Sequence, residues 1–247
     1  MKIFQNPNFR MISHQGFSVT EQWLGNSRLS SYIGSAEQGF LWAETDIKFS
    51  KDGVPVCCHD MEYTDSHDGK TRIRIPDHTL AELKTYGYYG EVIATFEEVL
   101  STCKIHGLGL YIDHLDGNWS DEMWQTLFDI VLKYKMEKHV EWLTANPACI
   151  ERILAWDETA AISLVTAEPD LTRVIEIAKK YKTPVNSFTV NALYTRFTIE
   201  DIIAYNARIP VGVRFEVWIV DDVEDLKKYM PYVNGVTTNT ISPKNFQ

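Results

Sequence analysis

Short apolar runs and longer amphipathic stretches alternate along almost all of this 247-residue chain, and that rhythm leaves few folds open. Met11-Ile12-Ser13 predicts a short strand, followed by a helix over about 27–38 that Gly39 stops. Phe40 to Phe49 then alternates. Trp42, Glu44, Asp46 and Lys48 share one face, and Leu41, Ala43, Thr45, Ile47 and Phe49 the other, because successive strand side chains point to opposite sides. Lys51-Asp52-Gly53 has hairpin-turn chemistry, and Val54 to Cys58 is the returning strand. The stretch 61–94 reads as an excursion rather than core, polar through residue 78 with Asp65, Asp68-Gly69 and Pro76. Thr79 and Thr95 have the character of helix N-caps, and Glu98 three positions after Thr95 completes a capping box.

Strands are predicted at 108–115, 140–143, 160–165, 185–190, 211–220 and 233–237. Helices alternate with them at 119–134, near 147–155, at 169–181 with Pro169 at its start, near 198–207 and at 222–229. With the hairpin counted once, eight strands each lead into helical sequence. Such alternation implies right-handed crossovers and a parallel sheet, and eight units in about 250 residues imply closure. An open doubly wound sheet would need a glycine-rich phosphate turn after its first strand, and no GxGxxG or GxxxxGK[ST] occurs. The expected fold is therefore α/β: a single (β/α)8 TIM-barrel domain over 1–247 with a short insertion after the second-strand hairpin.

Charge narrows the function. Twenty-four Lys and Arg against 34 Asp and Glu give a net charge of −10. That balance lacks the electrostatic footprint of a nucleic-acid binder and is repelled by anionic membranes, and a phosphorylated ligand would need a local cation. No apolar stretch approaches a membrane span, and residues 1–7 have no signal-peptide character, so a cytoplasmic location is expected. Cys57, Cys58, Cys103 and Cys149 are expected to be free packing residues, the adjacent pair facing opposite ways in a strand.

In a barrel of this kind reactive groups sit at the C-terminal ends of strands. His14 ends the first strand and His59-Asp60 ends the returning strand. Glu44 and Asp46, two residues apart, face the same way, and Asp113 stands near the end of the third strand in Leu110-Tyr111-Ile112-Asp113-His114. Three carboxylates from neighbouring strands make an oxygen-rich site for Mg²⁺ or Ca²⁺, and two flanking histidines can divide acid and base roles. Each of these residues also has an ordinary structural reading, and only their joint spacing is specific.

Ser13-His14-Gln15-Gly16, the run from Gly39 to Ile47, Lys51-Asp52-Gly53-Val54-Pro55-Val56 and His59-Asp60 together resemble the N-terminal signature of glycerophosphodiester phosphodiesterases. Thr95-Phe96-Glu97-Glu98-Val99-Leu100, Val217-Trp218-Ile219-Val220-Asp221 and Gly235-Val236-Thr237-Thr238-Asn239 are similar to later family segments, so the likeness spans nearly the whole chain. It implies a metal-dependent phosphodiesterase acting on a small-molecule, glycerophosphodiester-like substrate. His14 and His59 would be acid and base, Glu44, Asp46 and Asp113 would hold one divalent cation, and Trp218 would line the alcohol pocket. A neighbouring substrate hydroxyl would attack first, giving a cyclic phosphate.

The departures are as informative. The family arginine after the first histidine is Gln15 here, and the family lysine two residues after the third ligand is Leu115. Both cationic phosphate contacts are thus missing. Arg214, of the same strand parity as Trp218, is the candidate replacement, with an ion pair to Glu216 as its structural alternative. The competing reading is a degenerate barrel that binds a phosphorylated ligand without efficient turnover. An amidohydrolase would need HxH after the first strand and later strand histidines, which the sequence lacks. Nothing beyond its tryptophans supports a glycosidase.

Overall fold

The computed structural model describes residues 9–17, 26–168 and 170–246. Eight parallel strands close on themselves in the order β1 (Arg10–Ser13), β2 (Trp42–Phe49), β6 (Gly109–Asp113), β7 (Val140–Leu143), β8 (Ala161–Thr166), β9 (Ser187–Leu193), β10 (Val213–Trp218) and β11 (Gly235–Thr238). Strand β3 (Pro55–Cys57) runs antiparallel to the end of β2, pairing Ile47 with Cys57. Helices α1 (Leu29–Glu37), α3 (Phe96–His106), α4 (Asp121–Tyr134), α5 (Pro147–Trp156), α6 (Thr172–Tyr181), α7 (Ile199–Asn206) and α8 (Val223–Tyr229) follow the strands. The architecture is a TIM barrel, as the alternation implied. Pro169, the expected start of α6, lies outside the described residues.

Local chemistry sets the helix ends. Thr95 Oγ1 accepts from the Glu98 amide while the Glu98 carboxylate accepts from the Thr95 amide. Gly107 closes α3 in the left-handed region at φ 70°. Ser120 and Asp222 cap α4 and α8, so these helices begin one or two residues later than their apolar patterns suggested. Most barrel strands are buried on both faces, with their outward side chains under the helices and their inward ones filling the bore. Alternation on β2 holds as read: Ala43, Ile47 and Phe49 join the main core, and Glu44, Asp46 and Lys48 turn inward.

The excursion carries more packing than its polarity suggested. Strands β4 (Glu62–Thr64) and β5 (Arg72–Arg74) form an antiparallel hairpin, followed by the one-turn helix α2 (Leu80–Leu83). Tyr63, Ile73, Ile75, Leu83, Tyr88 and Ile93 pack with Val56 and Cys58 into a small core of their own. In the hairpin its apolar residues lie singly, Tyr63 beside Glu62 and Ile73 between Arg72 and Arg74, so they form no run that betrays them. The four cysteines are free and buried, Cys57 in the main core and Cys58 in this smaller one.

Candidate active site

The bore of the barrel is polar at both ends, with Ile12, Leu143, Val165 and the Trp42 and Tyr111 rings packed between. At the N-terminal end Arg10 and Arg214 both donate to Glu141 Oε2, at 2.5 and 2.6 Å, and Thr189 Oγ1 donates to Glu141 Oε1 at 2.7 Å. Arg10 also donates to the Tyr111 hydroxyl, which donates to Glu216 Oε2 at 3.0 Å. Gly109 makes room here, since a Cβ would sit 2.4 Å from the Trp42 ring. Burial would raise the Glu141 pKa, but Arg214 and Arg10 pull it below the ordinary carboxylate range. Burial and the Glu141 charge push Glu216 up to about 7.

Arg214 is therefore not the expected phosphate contact. It stands near the start of β10, bonded to Glu141 and 3.7 Å from Glu216, and does not line the cavity at the other end of the bore. Counting strand parity told that it faces inward but not at which end.

The C-terminal end holds a cavity of about 120 Å³ lined by His14, Glu44, Asp46, His59, Asp113 and Trp218, among others. Register explains the convergence: on the paired strands β2 and β6, Asp46 lies opposite Asp113. Glu44, Asp46 and Asp113 bring ligand oxygens within 4.8 Å of one another. Glu44 Oε1 and Asp46 Oδ2 are buried and without a hydrogen-bond partner among the described residues. Burial, with the Asp46 charge second, raises the Glu44 pKa well above normal and pushes Asp113 up to about 7. Desolvating a carboxylate costs several kcal/mol unless a positive charge answers it, so this cluster has the donor set and the unmet demand of a hard divalent-cation site.

Each neighbour is held in place. Gln15 adopts φ 53°, which turns its amide to donate to Glu44 Oε2 at 2.9 Å. Gly16 must follow it, because a Cβ there would lie 2.2 Å from Ser31 Oγ. Gln15 lines an adjoining hollow of about 280 Å³, with Asp60, Glu62, Tyr63, Tyr88 and Tyr89, and is not among the residues lining the carboxylate cavity. His14 and His59 border both spaces. Asn239 Nδ2 donates to Asp221 Oδ2 at 2.7 Å, so its Oδ1 faces His14 Nδ1 at 2.8 Å and accepts from it. That leaves the lone pair of His14 on Nε2, and burial lowers its pKa. His59 Nδ1 donates to Asp60 Oδ1 at 2.9 Å. Trp218 lines the cavity and anchors its indole N–H on the Asn191 carbonyl at 3.3 Å.

Four contributors were not singled out from the sequence. Asn239 and Asp221 carried no signal of a role toward His14. His114 adjoins Asp113 and reaches the cavity through a left-handed backbone at φ 59°, which its neighbours in sequence do not announce. Lys48 did carry a signal, the inward parity it shares with Glu44 and Asp46. A larger groove of about 820 Å³ outside the barrel between α3 and α4 pairs Lys84 with Glu98 and Lys133 with Glu97, and among the described residues it holds no comparable cluster. Among the described residues no helix is long and apolar enough to cross a membrane.

Comparison with known proteins gives a fold and a family. A search of curated sequences finds no match. Among solved structures, a candidate glycerophosphodiester phosphodiesterase from Galdieria sulphuraria superposes with a TM-score of 0.76 at 22% identity, over 95% of this chain and 94% of that one. A glycerophosphodiester phosphodiesterase from Parabacteroides distasonis gives 0.73 at 20%, over 94% and 93%. An Oleispira antarctica phosphodiesterase, solved with the product sn-glycerol-3-phosphate, gives 0.73 at 18%, over 96% and 95%. At these identities the likeness is one of fold. The profile of the glycerophosphoryl diester phosphodiesterase family matches residues 14–237, and the chain belongs to that family of phosphoric diester hydrolases.

Proposed function

We propose that the chain hydrolyses a small glycerophosphodiester to an alcohol and a phosphomonoester, with a divalent cation held by Glu44, Asp46 and Asp113 and with His14 and His59 as the acid–base pair. The observation that carries this reading is the pair of buried, unpartnered carboxylate oxygens on Glu44 and Asp46 beside Asp113. When bound, a hard divalent ion there supplies charge to offset the phosphodiester oxygens and the charge that builds at phosphorus.

The remaining work falls to the histidines. Asn239 fixes the tautomer in which His14 Nε2 can accept a proton from the attacking oxygen, water or a substrate hydroxyl. The new oxygen–phosphorus bond forms as the bond to the alcohol oxygen breaks; where a substrate hydroxyl attacks, water then opens the cyclic phosphate to the phosphomonoester with the two histidines exchanging roles. An alkoxide leaves poorly unless protonated, and His59, oriented by Asp60 and shared with the adjoining hollow, is placed to deliver that proton. Trp218 gives the alcohol an apolar wall.

The binding-only reading draws on one observation: no Lys or Arg is among the residues lining the cavity. Turnover separates the two. Wild-type protein should release alcohol from a glycerophosphodiester, lose that activity in a chelator and regain it with Mg²⁺ or Ca²⁺. A chain that binds the diester and never cleaves it, with any divalent ion, would contradict the enzymatic reading.

A further inference from the structure

The cavity has an unbalanced ledger of charge. Three carboxylates line it, and one divalent ion leaves the set net negative before an anionic diester enters. None of the three positions considered from the sequence restores the balance. Gln15 lines the neighbouring hollow, Leu115 is apolar and lines an adjoining cleft together with Lys48 and His114, and Arg214 is bonded to Glu141 at the far end of the bore.

Lys48 is inward on β2, two residues beyond Asp46, and only 8% exposed. Its Nζ lies 2.7 Å from Nδ1 of His114, which lines the carboxylate cavity and packs against His59 with ring centroids 4.6 Å apart. An ammonium has donors only, so this contact requires His114 Nδ1 to accept and places the ring proton on Nε2. The His59 carbonyl at 3.1 Å and Asp46 Oδ1 at 3.5 Å from the same Nδ1 would call for the opposite tautomer. The ammonium contact is the shorter; burial lowers the Lys48 pKa, and the Asp46, Asp113 and Asp60 charges oppose that shift.

We propose that Lys48 and His114 together form the phosphate-holding pole of this site: Lys48 donates to His114 Nδ1, and His114 Nε2–H donates to a non-bridging phosphate oxygen with the ammonium charge behind the ring. This rests on the reading of the site as a phosphodiester site. It would explain how the chain dispenses with charged side chains at positions 15 and 115. The rival use of the same atoms is a second metal ion on Asp46, His59 and His114, whose ligand atoms also lie within 4.8 Å of one another. The Lys48 ammonium against Nδ1 disfavours it.

The test compares wild type, K48M, K48R, H114F and H114Q, each checked by thermal melting, in steady-state turnover of a glycerophosphodiester and in calorimetric binding of inorganic phosphate with Mg²⁺ present. Removing the charge behind a hydrogen bond should weaken phosphate binding by about five- to thirtyfold. K48M and H114F should raise KM and the phosphate Kd by that factor and change kcat less. H114Q, which keeps a donor, and K48R, which keeps the charge, should recover part of the loss. The K48M/H114F double variant should be little worse than either single one, because the two act as a unit. Unchanged KM and phosphate affinity in K48M and H114F, with normal wild-type turnover, would overturn this proposal alone. So would two Mn²⁺ ions bound per wild-type chain with one lost in H114F. A wild-type protein that neither binds phosphate nor cleaves the diester would overturn the underlying reading with it.

Discussion

The two ends of the barrel bore use similar residues to opposite ends. At the N-terminal end two buried carboxylates, Glu141 and Glu216, meet Arg10, Arg214, Tyr111 and Thr189, and both Glu141 oxygens have partners. At the C-terminal end Glu44, Asp46 and Asp113 crowd together, and two of their buried oxygens have no hydrogen-bond partner among the described residues. Glu44 and Asp46 are nearly as buried as Glu141 and Glu216, so burial does not mark function. The mark is an unanswered charge. A paired network stabilises a fold only modestly and is costly to break, whereas an unpaired cluster is costly to keep and persists where a ligand completes it.

If that contrast is right, substitutions at the two ends should fail in different ways. The largest effect is expected on rate. His14→Ala and His59→Ala should each lower turnover of a glycerophosphodiester by about 10²–10⁴-fold while leaving the melting temperature near wild type. Full activity in the double variant would remove the acid–base assignment.

Next comes stability. Glu141→Ala strands Arg10 and Arg214 without their shared carboxylate and should cost about 3–5 kcal/mol in urea denaturation. Glu44→Gln in the metal-free protein should cost nothing and stabilise if anything, because it removes a buried charge with an unpartnered oxygen, yet it should abolish turnover. Equal losses of stability from both would erase the distinction between the ends.

A smaller effect is expected with pH. Glu216 titrates near 7 in the folded protein against 4.5 ordinarily, so between those values the folded chain holds more protons than the unfolded one. Stability should fall as pH rises through that window and level off above it, by at most about 1.4 kcal/mol per pH unit. Glu216→Gln should flatten this component in urea melts taken from pH 4.5 to 7.5. The smallest effect belongs to Gln15→Arg. Gln15 lines the tyrosine-lined hollow and not the carboxylate cavity, so the preference among alcohols should shift while inorganic phosphate affinity stays put.

The sequence carried the barrel because eight strand–helix units repeat their patterns within a length that suits closure. It carried Glu44, Asp46 and Asp113 because strand parity and strand order suffice to bring them together. Arg214 shows where such reasoning stops: parity places a side chain inside the bore, but the end it occupies depends on register between strands distant in sequence. Gln15 and His114 show a second limit. Each follows a strand end in a left-handed conformation, which swings a side chain to a place that periodicity does not describe. The small core of the insertion escaped notice because burial there alternates residue by residue among charged neighbours.

The most direct test of the unanswered-charge account is anomalous diffraction from a crystal of the wild-type protein soaked in Mn²⁺. A single strong peak is expected within about 2.0–2.6 Å of carboxylate oxygens of Glu44, Asp46 and Asp113. No peak there at saturating Mn²⁺, with those three side chains ordered and apart, would contradict the account.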